Sequence, residues 1–372
     1  MPLPASELSR LIKEAAAEAG FELAGVAGVG EFPELNYFPE WIAEGRAGEM
    51  AYLQARDQHN QLKRASLHSV APWARSVVVC ALNYNTAQPY STRVSDLERG
   101  WISRYAWSRR DYHNVVLERL RRVESRLREI AARQPAPEGQ EVLARSYVDT
   151  GPLVERVYAK YAGVGWMGKN TCIINQRLGS WLFLGVIISS LELAPDLPAP
   201  DRCGTCTRCL EACPTQAFTA PYQLDSNRCI AYLTIEKRGS IPQSLRPGIG
   251  RQVFGCDICQ DVCPWNRKAP ATALADFQPR PELVNPALDG LAALDSQRFA
   301  EAFRGSPLRR AKLSGLRRNA VVAMGNSGNR KFVPTLENLC SDPDPVVAEH
   351  AAWALAHLRR QLSLRRRHAE AL

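Results

Sequence analysis

Cys203-Gly-Thr-Cys206-Thr-Arg-Cys209-Leu-Glu-Ala-Cys213-Pro214 sets four thiols in the spacing C-x2-C-x2-C-x3-C, closed by a proline. Bacterial two-cluster ferredoxins wrap cubane iron-sulfur clusters with this run: three close thiolates cap one cluster, and the fourth reaches across to the other. The ending repeats downstream as Cys256-x2-Cys259-x3-Cys263-Pro264, and Cys229 lies upstream of it where one more ligand is needed. The ferredoxin cross-over assigns Cys203, Cys206, Cys209 and Cys263 to one cluster, and Cys213, Cys229, Cys256 and Cys259 to the other. Zinc is the competing metal, but its sites use paired C-x2-C motifs, and a triple run with C-P repeated in both halves fits them poorly. Cys80, Cys172 and Cys340 stand in apolar stretches and read as buried small hydrophobes.

Outward from this block, the Pro-rich stretch Ala194–Pro200 reads as a linker that ends a first domain. Before it, Ser76–Leu82 is β-branched and apolar like a buried strand, and Val142–Val148 and Trp181–Ser190 predict two more. His113–Arg133 has the spacing of a long amphipathic helix, Gln134–Gly139 is a loop, and Leu153–Ala162 a helix beginning after Pro152. The 372 residues, 45% hydrophobic and 23% charged, suffice for two or three domains and exclude global disorder. Met1–Gly20 has no apolar h-region; it reads as an amphipathic helix with Leu8, Leu11, Ile12 and Ala15 on one face, not as a signal peptide. The longest apolar run, Trp181–Ile188, is far short of the roughly 20 residues a membrane span needs. Eleven cysteines in such a chain point to metal ligation in the reducing cytoplasm and not to a disulfide scaffold.

Clusters pass single electrons, so a protein that is more than a wire must hold something to reduce. The first 200 residues contain no G-x-G-x-x-G turn between strand and helix, which argues against a Rossmann dinucleotide site and for an external electron donor. Downstream, Asn319-Ala-Val-Val-Ala-Met324 and His350-Ala-Ala-Trp-Ala-Leu355 are alike at an offset of 31 residues, near the period of two-helix solenoid repeats. From Gln297 onward 14 Arg and Lys face 6 Asp and Glu, so the last fifth carries +8 of a net +9. Such a face is either plainly solvated or a contact surface for a phosphate backbone.

Four further segments, Asp149-Thr-Gly-Pro-Leu-Val-Glu-Arg156, Gly163-Val-Gly-Trp-Met-Gly-Lys-Asn-Thr171, Leu233-Thr-Ile-Glu236 and Phe254-Gly-Cys-Asp257 with Cys263-Pro-Trp-Asn266, resemble the epoxyqueuosine reductases. The likeness runs from about Ala51 to the C-terminal repeat, and its iron-sulfur region is shared with corrinoid relatives such as reductive dehalogenases. It implies a multidomain α+β protein. Residues 1–193 would form a nitroreductase-like α/β catalytic domain that binds cobalamin, 194–270 a ferredoxin-like domain with two 4Fe-4S clusters, and 271–372 an all-α HEAT-like domain that helps hold tRNA. The implied activity is reduction of epoxyqueuosine to queuosine at the wobble base of tRNA. A low-potential external donor would feed the clusters and cobalamin, in a chain acting as a monomer with no membrane partner.

The resemblance also implies residue roles. Asp149 matches the family's acid, which must protonate the departing epoxide oxygen; burial against the corrin would raise its pKa to suit. Without the resemblance, Asp-Thr-Gly-Pro is simply a turn. Gly168, Lys169 and Asn170 match a G-K-N segment suited to corrin amides or tRNA phosphates, and Arg104 and Tyr105 match an R-Y-A segment. Arg64 matches the basic residue before the family's first strand. The stretch Arg104–His113 is one residue longer than the family's R-Y-A-x-G-x-D-Y-H, and Ser108 stands where glycine is usual, which puts Arg104 and Tyr105 in doubt. Two other readings compete: a dehalogenase-like corrinoid reductase, which would leave the basic tail without a purpose, and a pure electron carrier, which would have no reason to bind cobalamin.

Overall fold

The computed structural model describes residues 2–134 and 141–370; the loop expected at Gln134–Gly139 lies outside them from residue 135 on. The run Ser76–Asn83 forms a strand with every residue buried. It lies inside a four-stranded antiparallel sheet ordered Leu23–Gly28, Ser76–Asn83, Leu182–Ser189, Ala144–Tyr147. Side chains of a strand alternate between faces, and both faces here are covered, which is why the sequence shows no polar alternation. Val78, Cys80 and Leu82 pack with Leu8, Ile12, Val116 and Leu120 from the helices Ala5–Glu18 and Tyr112–Ala132. Val77, Val79 and Ala81 pack with Val157, Tyr158 and Ala159 of the helix Glu155–Tyr161 on the other side.

The helix Glu155–Tyr161 ends so close to the sheet that a Cβ at Gly25 would stand 1.9 Å from the carbonyl oxygen of its C-cap, Ala162. Backbone must move to admit it. Gly25→Ala is therefore expected to cost about 1–3 kcal/mol, read as a fall of several degrees in the melting temperature. An unchanged melting temperature would show that the helix can retreat.

The helical C-terminal segment is anchored to the cysteine block by buried polar groups. Helix Lys312–Asn326 packs against Pro345–Glu370, with Gly325 facing Ala354, so the two alanine-rich segments meet as stacked repeat helices. Arg318, 1% exposed, donates to the carbonyls of Leu233, Lys237 and Gly239, and Asn319 donates to those of Thr234 and Val253. The Leu233-Thr-Ile-Glu236 motif is thus a docking strip for the helices. Trp101, Trp107, Val253 and Phe254 share one core with Leu316, Val321, Ala351 and Leu358, which ties all three stretches of chain together. Among the described residues no helix is long and apolar enough to cross a membrane.

Candidate functional site

Just past the strand Ala144–Tyr147 the chain turns sharply. Asp149 sits at φ 59, a left-handed conformation that Asp and Asn tolerate better than most residues. The Thr150 N–H donates to the Val148 carbonyl at 2.7 Å, and the Asp149 N–H donates to Glu155 Oε1 at 2.8 Å. Arg64 closes the turn from outside, donating through Nη2 to the Gly151 carbonyl at 2.9 Å. These contacts present the Asp149 carboxylate, 69% exposed, to a cavity of about 960 Å³ that Arg64, Glu155 and Arg156 also line.

Behind Asp149 lies the start of helix Tyr112–Ala132. The Tyr112 hydroxyl donates to Asp149 Oδ2 at 3.3 Å, His113 Nε2 stands 3.8 Å from the same oxygen, and His113 Nδ1 is 2.7 Å from Asp111 Oδ1. The His113 imidazole 3.8 Å away holds the Asp149 carboxyl below its ordinary range. The raised value expected of Asp149 depends on burial against a corrin; in this structure the carboxylate faces an imidazole. Burial opposes a charge on His113, but the hydrogen bond to Asp111 and the nearby Asp149 carboxylate outweigh it and lift the imidazole to about 9. The carboxyl that is pushed up is Glu155, to about 8, by burial and then by the Asp149 charge.

The other residues singled out from the sequence are placed differently. Arg104, 2% exposed, donates to the carbonyls of Thr86, Gln88 and Pro89 and lies over Trp107 and Trp181, away from the cavity. Tyr105 stands edge-on to Tyr112 at 6.0 Å and does not line the cavity either. Lys169 Nζ donates to the carbonyls of Gly204 and Cys206, and Asn170 Nδ2 reaches that of Cys259 at 3.5 Å. A Cβ at Gly168 would strike Ile174 at 2.5 Å. The G-K-N loop therefore clamps the cysteine loops, while Met167 and Thr171 on either side of it face the cavity.

The thiols fall into two groups. Burial and the neighbouring Cys203 and Cys206 push Cys209 up to about 11, and burial with Cys203 and Cys209 does the same to Cys263. Cys256 is raised by burial and by Cys229 and Cys213, and Cys259 feels Cys256 and Cys229. Partly buried thiols that feel one another's charge, with Cys263 buried, suit a cluster that takes them as thiolates. Cys172 is no isolated hydrophobe: it lies beside Cys259, and its Sγ is 3.5 Å from Gln260 Oε1. Among the described residues no cysteine lines the cavity, but each group shares a packing cluster with one residue of its wall. Met50, in its wall, packs on the core that holds Cys229 and Cys256, and Trp166, also in the wall, packs with Cys203 and Cys263. On another side Tyr52 lies within 5.5 Å of both the Arg64 and Arg310 guanidinium groups, and Arg310 is gripped by Glu236. Sequence reading missed His113, Glu155, Tyr52 and Arg310, although the first two stand within quoted motifs.

The sequence matches three family models: "Epoxyqueuosine reductase QueG, DUF1730" over residues 64–150, a 4Fe-4S double cluster binding domain over 202–266, and HEAT repeats over 308–366. It is 39% identical to an epoxyqueuosine reductase of Xanthomonas campestris, covering 95% of this chain and 97% of that one. A Synechocystis epoxyqueuosine reductase is 46% identical over 75% of this chain and 91% of its own. A crystal structure of an epoxyqueuosine reductase with an epoxyqueuosine-modified tRNA-Tyr stem loop superposes with a TM-score of 0.81, at 31% identity over 95% of this chain and 91% of that one. Sequence, cluster domain and fold agree, and the chain belongs to the epoxyqueuosine reductase family of iron-sulfur oxidoreductases.

Proposed function

We propose that this chain reduces epoxyqueuosine to queuosine at the wobble position of tRNA in the cytoplasm, acting as a monomer fed by an external low-potential donor. One observation carries the reading: a single cavity has Asp149 in its wall, wall residues Met50 and Trp166 that share packing clusters with cysteines of both groups, and Arg310 of the basic helical segment beside it. The division of labour follows the chain: residues 1–193 for chemistry, 194–270 for electron delivery, and 271–372 for holding tRNA.

The cavity also suits cobalamin. At about 960 Å³ it lies at the upper end of small-molecule sites, ~300–1,000 Å³, and Leu153, Phe183 and Leu184 give it an apolar wall. Met167, Leu184 and Thr171 would hold the ring, and bound there it would supply a reductant able to attack the epoxide carbon. The chain's own residues do the rest: Asp149 holds a proton-transfer position at Oδ2, and Arg64 fixes its turn through Gly151.

Incubating epoxyqueuosine-bearing tRNA with the protein, cobalamin and a low-potential reductant is expected to yield a nucleoside lighter by one oxygen atom; unchanged nucleoside would sink the reading. Affinity for tRNA is expected to fall steeply with salt, each phosphate contact adding about 0.7–0.9 to the log–log slope. Arg360 and Arg367 are exposed on the last helix. Replacing both with glutamine should flatten that slope, which fluorescence anisotropy would read; a flat response in the unaltered protein would remove the basic segment from tRNA binding.

A further inference from the structure

Removing an epoxide oxygen as water consumes two electrons and two protons: both C–O bonds break, the two carbons take up the electron pair as a double bond, and the oxygen departs with both protons. The electrons come one at a time from the low-potential donor of the activity proposed above, on which this inference rests. A single carboxyl carries one proton. It must be reloaded within the turnover, and Asp149, held ionised, must be loaded even for the first transfer.

We propose that His113 is the positioning residue that loads Asp149, as the middle member of a relay Asp111–His113–Asp149 running from solvent to the cavity. Three features of the geometry support it. His113 Nδ1 is fixed by Asp111 Oδ1 at 2.7 Å, which aims Nε2 at Asp149 Oδ2, 3.8 Å away and the carboxylate oxygen that also accepts from Tyr112. The ring is stacked on Tyr112 at 4.0 Å, so its orientation is set before substrate arrives. Its side chain is 36% exposed, leaving a route for protons from water. The 3.8 Å gap is of the loose kind that closes in a substrate complex.

The surrounding charges keep a proton on this ring until the developing charge on the epoxide oxygen draws it on through Asp149. Asp111, as helix N-cap, accepts from the His113 N–H, and its carboxylate and that of Asp149 outweigh the helix N-terminus, which disfavours a cation. Arg156 faces Asp149 from the next helix, and Arg64 and Glu155 complete the charged ring around it. With the imidazole at about 9, the loading proton is present below that pH and lost above it. The rate should therefore hold through neutrality and decline only in the alkaline range.

The test compares unaltered protein, H113Q and D111N by single-turnover conversion of epoxyqueuosine tRNA across pH, with histidine-labelled NMR titration of the same full-length chains. H113Q is expected to lose roughly 10- to 100-fold in rate at pH 8 and to begin its alkaline decline at least one pH unit earlier, with tRNA affinity and iron content unchanged. D111N should shift the decline without removing the plateau. In NMR one imidazole should titrate near 9, and its signal should be absent in H113Q and move down in D111N and D149N. An H113Q profile matching the unaltered protein, or no imidazole titrating above the ordinary range, would overturn the relay. Failure of the unaltered protein to convert the epoxide would instead overturn the functional reading.

Discussion

Asp149→Asn is expected to lower single-turnover reduction of epoxyqueuosine tRNA by about 10²–10⁴-fold, the contribution usual for a positioned acid, while cluster absorption, iron content and tRNA affinity stay at their unaltered values. Asparagine is the informative substitution because the residue sits at φ 59, where Asn is tolerated and alanine is less so. The amide keeps the backbone N–H that donates to Glu155 Oε1 at 2.8 Å, and it can still accept from the Tyr112 hydroxyl. What it cannot do is carry a proton to the leaving oxygen. Asp149→Ala should lose as much in rate, and its partner variant is Arg64→Met, which disturbs the same turn through the Gly151 carbonyl without touching the acid. Should Asp149→Asn convert substrate at the unaltered rate, the essential proton comes from elsewhere, and Glu155, protonated up to about 8, is the next carboxyl in the same wall.

The contrast between these two carboxyls marks where sequence stopped being informative. The strand Ser76–Asn83 and the helix Tyr112–Ala132 were legible because their side-chain periods are local properties of consecutive residues. The eight thiols were legible because metal ligation imposes spacing. Charge state is not local. Asp149 is held ionised by His113, 36 positions upstream, and nothing in Asp-Thr-Gly-Pro announces that neighbour. Lys169 and Asn170 looked like ligand-binding groups because a Gly-rich loop with donors suits phosphates and amides equally well. Only the fold shows those donors spent on the carbonyls of Gly204, Cys206 and Cys259. Arg104 is the same case, an apparent site cation consumed by three backbone carbonyls and two indole rings.

The cysteine cross-over makes the second large prediction. Cys263 stands at the end of the second block, 60 positions after Cys203, so reading by proximity in sequence would give it to the cluster of Cys256 and Cys259. In the fold Cys263 packs in one cluster with Cys203, and after burial its thiol is raised by the charges of Cys203, Cys209 and Cys172. The proline after it opens a short helical turn whose Asn266, 1% exposed, is bonded to Ser180 and to the Gln260 carbonyl, which fixes the loop in place. Cys263→Ser is therefore expected to remove the cluster of Cys203, Cys206 and Cys209 and to spare that of Cys213, Cys229, Cys256 and Cys259. Iron should fall from about eight to about four atoms per chain, and conversion of tRNA should drop to background because electron delivery is cut. Cys213→Ser should spare the opposite cluster, which paramagnetic resonance of the two reduced variants can distinguish by their different spectra. Cys172→Ala is the control: it touches Cys259 without belonging to either set, so all eight irons should remain. Loss of four irons in that variant, or identical residual spectra in the two serine variants, would require the ligand sets to be redrawn.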